Sequence, residues 1–169
     1  MTPLFRNLRL GYAIVSIASL FACGGEGPNP TSPAPTAPAL PRITVRVSPT
    51  PLVATFLGTT GTSSTYRLAA EVTLTESAGT GGQIDQITTT ITSLRRVQGL
   101  TTSLSFSITK SAALQISPSG TVTYTDSGDF GVSSDVESVT WRVAVSGVDS
   151  QGRAFTASSE SIAVNLELP

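Results

Sequence analysis

The chain has no histidine and only one cysteine, Cys23, among its 169 residues. Without histidine, a Ser-His-Asp triad, a Cys-His pair and every histidine-based metal site are excluded. One thiol cannot close an internal disulfide, so apolar burial and backbone pairing must hold the fold together. Charge is scarce too: 12% of residues are charged, against a usual share of about 25%. Serine and threonine fill the gap, occupying 42 of the 128 positions from Arg42 to Pro169. Such a surface is polar through hydroxyls, and threonine favours strands. Beyond residue 22, eight Arg or Lys residues face eleven Asp or Glu, a net of about −3. Nucleic acid, which calls for clustered positive charge, is therefore not an expected partner.

The amino terminus is patterned differently from the rest. Arg6 and Arg9 precede an apolar run from Leu10 to Ala22, and no acid occurs before Glu26. About a dozen apolar residues are too few to span a bilayer stably but suit the helical core of a signal peptide. The run ends in Leu20-Phe21-Ala22-Cys23-Gly24. This segment resembles the lipobox of bacterial lipoproteins, with a leucine three residues before the cysteine and a small residue just before it. Phe21 is bulkier than the usual occupant of its place. The resemblance implies cleavage between Ala22 and Cys23, diacylglycerol on the Cys23 sulfur and acylation of the new amino group. Two or three chains would anchor durably, at about 0.8 kcal/mol per buried methylene. In this family an Asp after the cysteine tends to retain the protein at the inner membrane. Gly24 stands there instead, so the implied address is the cell envelope, with the outer membrane favoured if the cell has one.

Residues 23–41 continue as the lipidated cysteine and a tether, with prolines at 28, 30, 33, 35, 38 and 41. Proline at this density holds a disordered chain extended at about 3.1 Å per residue, a reach of roughly 50 Å. The same stretch could also serve as a proline-rich ligand for an aromatic groove.

From Arg42 to Pro169 the apolar period is two. Ile43, Val45 and Val47 alternate with polar residues, as do Tyr66 to Leu74, Ile87 to Ile91, Leu104 to Ile108, Val122 to Tyr124, Val139 to Val145 and Ile162 to Leu168. One apolar and one wet face per strand is the pattern of antiparallel sheets. Turn signals intervene at Ser48 to Pro51, Gly79 to Gly82, Ser117 to Gly120 and Asp149 to Gly152. Seven or eight short strands without a helix predict an all-β fold, an antiparallel β-sandwich. The arrangement resembles an immunoglobulin-like domain of the exported bacterial kind, though the cysteine pair of antibody-type domains is missing. Trp141, in phase with Val139 and Val143, reads as core.

Candidate chemistry is thin. Ser107 and Lys110 match a Ser-x-x-Lys spacing, but three residues apart on a strand they point to opposite faces. Asp126, Asp129 and Asp135, with Glu137, form the densest acidic stretch between the strands at Tyr124 and Val139. They read first as solvated loop charge and second as calcium ligands, without the alternating calcium-loop spacing. No carboxylate pair is nominated for glycoside hydrolysis. An interaction patch is more specific: Arg95 and Arg96, with Val97 and Leu100, fall in one predicted loop, and Asp129 and Phe130 in another. In an immunoglobulin-like order both loops share the end of the body facing away from the tether. An exposed aromatic beside arginines is what interaction sites favour; the alternative is that Phe130 tucks beneath its own loop.

The expected function is therefore that of a lipid-anchored, non-catalytic module, binding an envelope protein or a glycan through these loops, with no cofactor. The alternative is a structural subunit of an envelope assembly that makes contact through its sheet edges. An enzyme is the least favoured reading.

Overall fold

The period-two segments fold as strands in the computed structural model, which describes residues 40–167. The signal segment, Cys23 and nearly all of the tether lie outside the described residues. Nine strands follow in chain order: β1 (Ile43–Ser48), β2 (Leu52–Thr60), β3 (Ser63–Glu76), β4 (Gly82–Val97), β5 (Leu100–Ile116), β6 (Thr121–Ser133), β7 (Val136–Asp149), β8 (Ala154–Ser158) and β9 (Ile162–Leu166). The described residues contain no helix, so the fold is all-β. Each predicted strand has its counterpart. β2 and β8, which alternation did not mark, are added. β2 is interrupted by a bulge between Phe56 and Gly58, and in β8 the apolar Ala154 lies on the exposed side beside Phe155, so neither gives a clean period-two signal.

Two long strands organise the sheet. β3 carries β6 along one side, from Ser63 opposite Ser133 to Thr75 opposite Thr121. Its other side is shared by β2, over Ser63 to Leu68, and by β1, over Glu71 to Glu76. β7 carries β4 along one side, while β9 and β8 share the other. β5 pairs with the remaining side of β4.

The expectation of purely antiparallel pairing is corrected at one place. Leu52 to Ala54 of β2 run parallel to Val164 to Leu166 of β9, which makes the nine-stranded sheet mixed. β9 must run opposite to β7, and the direction left for it beside β2 is parallel. Pairing there satisfies backbone groups that a free edge would leave open.

One apolar cluster fills the space between the two wings. β3 contributes Tyr66, Leu68, Ala70, Val72 and Leu74, and β7 contributes Val139, Trp141, Val143 and Val145. Alternate residues of each strand therefore point to the same interior. Trp141 is buried at its centre, 2% accessible. Where β7 crosses the β4 bulge, the backbones close in so far that a Cβ on Gly147 would lie 1.9 Å from the Gln83 carbonyl oxygen. Only glycine fits that crossing.

Two buried carboxylates tie the loops at one end. Glu76, 1% accessible, accepts the amides of Ala78 (2.7 Å), Gly79 (3.0 Å) and Ser119 (2.8 Å). Burial alone would raise its pKa. The amides of Ser119, Ala78, Gly81 and Gly79 outweigh that effect and bring it down to about 2. Asp149 closes the β7–β8 hairpin by accepting from the Gln151 amide (2.9 Å) and from the Arg153 amide and Nε (2.8 and 2.6 Å). These donors outweigh burial and hold its carboxyl below the ordinary carboxylate range.

Candidate functional site

β4 and β5 form a long hairpin whose two faces differ in chemistry. On the outer face, hydroxyl meets hydroxyl: Thr88 with Thr109 (2.9 Å), Thr90 with Ser107 (2.8 Å) and Thr92 with Ser105 (2.8 Å). On the inner face, Phe106 stands opposite Ile91, which stands opposite Trp141 of β7. Such rows of cross-strand neighbours are the units that stabilise a sheet.

The inner rows end in the open. Leu104, Phe106 and Ile108 were expected to pack inward with the rest of their alternation, yet they are 57%, 59% and 40% accessible. The physical reason is their position. β5 has no strand partner beyond β4 among the described residues, and across the interior it faces β6, whose own outer side is likewise unpaired. Between the two edge strands lies a groove of about 340 Å³, lined by Ile91, Leu104, Phe106, Phe130, Val132 and Val139. A neighbouring notch of about 30 Å³ is lined by Ile91, Ile108, Gly128 and Trp141, among others. Gly128 leaves room on the facing strand, because a Cβ there would meet nothing within 4 Å.

Polar contacts bound the groove. At one end Lys110 Nζ reaches Asp126 Oδ1 at 2.8 Å, and Thr89 donates to the other carboxylate oxygen. Asp126 is 7% accessible, so this contact clasps the two edges together across the interior. Near the other end Arg96 Nε lies 3.2 Å from Glu137, and Arg95 Nε 4.0 Å from Asp135.

The expected interaction patch is rearranged. Arg95 and Arg96 pair with Thr102 and Thr101 near the end of strand β4 and are not loop residues, and both face acidic partners. Phe130 is not an exposed aromatic: β6 continues through it to Ser133, because the β3 ladder holds that strand in register along its length. It has the same parity as Asp126 and Val132, so it points inward, is 9% accessible and stacks on Tyr66 at 6.0 Å between ring centroids. Its edge contributes to the groove wall, with Ser93 of β4, two residues from Arg95.

The calcium candidates are dispersed by the same extension of β6. Asp126 faces inward and Asp129 outward on one strand, while Asp135 lies in the turn before β7. Asp129 holds Arg67 in a two-point contact of 2.7 and 2.8 Å, which lowers its pKa and raises that of Arg67. No group of three or more acidic residues that could hold a metal occurs among the described residues. Ser107 and Lys110 lie on opposite faces of β5, the hydroxyl on Thr90 and the amine on Asp126.

The site that emerges is thus the β5 edge with its groove, which the sequence displayed as an ordinary core-facing alternation. The available signal was the run from Leu100 to Thr109, ten residues without a charge, proline or glycine.

No protein-family model matches the chain, and no curated protein matches it. Solved structures do. The X-ray structure of structural genomics target SoR45 is 14% identical with a TM-score of 0.49, over 73% of this chain and 86% of that one. The putative ApaA protein from Bordetella pertussis is 14% identical with a TM-score of 0.45, over 75% and 94%. Spo0M, a sporulation control protein from Bacillus subtilis, is 9% identical with a TM-score of 0.30, over 75% and 50%.

Proposed function

We propose that the protein is a lipid-anchored component of the cell envelope whose immunoglobulin-like sandwich acts as a non-catalytic interaction module. Contact is made through the β5 edge and the groove beside it, in preference to the patch of Arg95, Arg96 and Phe130 expected from the sequence. The observation that carries this reading is the exposure of Leu104, Phe106 and Ile108 on a strand with one unpaired side. Natural sheets guard such edges with charge, proline, bulges or short strands. From Leu100 to Thr109, β5 has none of the first two and pairs with β4 without a register shift. Its one charged residue, Lys110, is drawn inward by Asp126. An open edge beside an apolar groove suits an extended protein segment, with backbone bonds for affinity and alternate side chains for specificity. The lipobox at Leu20 to Cys23 and the proline-rich tether supply the address and the reach.

Hydrogen exchange tests the reading. Amides of residues 100–109 should exchange at least about tenfold more slowly in native envelope vesicles than in the purified, dilute chain, the protection conferred by one added strand. Equal exchange in the two states would remove the β5 edge as the contact.

A further inference from the structure

Resting on that reading of β5, we infer that the strand seated on the edge is β5 of a second copy, paired antiparallel about a two-fold axis through Phe106. Antiparallel self-pairing places residue i opposite residue j with a constant sum. Centring on Phe106 puts Leu104 opposite Ile108 twice and Phe106 opposite itself. On the other face, Ser105 meets Ser107, Ser103 meets Thr109 and Thr101 meets Ser111. Apart from Thr102 opposite Lys110, apolar residues meet apolar ones and hydroxyls meet hydroxyls from Thr101 to Ser111, the hydroxyl pairs repeating those that already join β4 and β5 on the outer face.

Charge is compatible as well. The only charged side chain in this stretch is Lys110, opposite Thr102 in this register. Its amine is already held at 2.8 Å by Asp126 of its own copy, so no like charges meet across the axis. An isologous contact of this kind is the commonest way for identical chains to associate, because one patch serves both sides. The paired stretch of eleven residues would span about 35 Å at the rise of an antiparallel strand. It would also bring a second apolar stripe alongside the exposed one, reducing the water contact of both. A foreign strand would have to match this hydroxyl and apolar alternation, whereas a second copy does so by construction.

The register makes a specific test possible with the full-length chain in mild detergent, using light scattering to read mass. The wild-type chain is expected to form a dimer. Leu104→Lys should weaken it about tenfold or more, since two cross-strand apolar pairs are lost. Ile108→Glu should do the same. Mixing the two variant chains should restore association as a mixed dimer, because the new lysine of one then faces the new glutamate of the other. Restoration also proves that both variants are folded. A wild-type chain that stays monomeric, a dimer indifferent to Leu104→Lys, or a mixture that does not associate overturns the two-fold pairing. If the chain is monomeric while residues 100–109 are still protected in the envelope, the second copy is overturned and the β5 edge stands as a contact for another protein.

Discussion

Replacing Glu76 with glutamine tests how far one carboxylate organises the loop end of the body. In the folded chain its pKa falls from 4.5 to about 2, a difference worth about 3 kcal/mol at 1.36 kcal/mol per unit. Glu76 is scarcely accessible, but it lies at the loop end of the body, held by the turn amides of Ala78, Gly79 and Ser119. We therefore discount the contribution for solvent screening to about 2 kcal/mol. A carboxyl whose folded pKa is depressed stabilises fully above its unfolded value and loses that contribution as pH falls through the folded value. The stabilisation should thus be complete at neutral pH, begin to fall near pH 5 and be largely gone near pH 2. Glu76→Gln should lower the melting temperature at pH 7 by roughly 8 °C, at about 4 °C per kcal/mol for a body of this size. Trp141, the only tryptophan and deeply buried, reports unfolding by its fluorescence. The reasoning is refuted if the variant melts with the wild type at pH 7, or if the gap at pH 7 persists undiminished near pH 2.

The remaining predictions concern the strands and the anchor. Gly147→Ala should destabilise by more than about 3 kcal/mol, because the new methyl would meet backbone that cannot move aside, whereas Gly128→Ala in open space should be neutral or gain up to about 1 kcal/mol; urea midpoints of the two separate these outcomes. Lys110→Met should cost more than Asp126→Asn, about 2 against 1 kcal/mol, because it leaves a buried carboxylate without its cation; equal losses in urea would show that the clasp is not electrostatic. Cys23→Ser should abolish incorporation of labelled palmitate and release the body from the membrane fraction, since no second acyl attachment thiol exists in the chain.

Much of the architecture was legible because strand periodicity survives in short windows. Alternation marked seven strands, and proline, glycine and aspartate marked the turns between them, since these residues supply the dihedrals and local hydrogen bonds that turns need. β2 and β8 escaped because a bulge in one, and in the other an apolar Ala154 on the exposed side beside Phe155, break the period. The length of β6 was equally hidden. Asp126, Gly128 and Asp129 have weak strand propensity, and only the ladder to β3 carries the chain through them to Ser133. That single extension moved Phe130 inward, parted the three aspartates and replaced the expected loop patch with a groove.

The sequence by itself determined the all-β character of the body and put Trp141 on one strand face with Val139 and Val143, because period-two alternation is the signature of strands with one apolar face. It also set the chemical bounds, since a chain without histidine cannot acquire histidine chemistry by folding. Only the tertiary structure decided which apolar face stays in water. Leu104, Phe106 and Ile108 carry the same alternation as Val139, Trp141 and Val143, and the charge-free run around them does not by itself say what stands opposite. The difference is that, among the described residues, β7 lies between partners on both sides while β5 has one. Burial is a property of what stands opposite a side chain, and strand order is set by pairings between residues far apart in the chain.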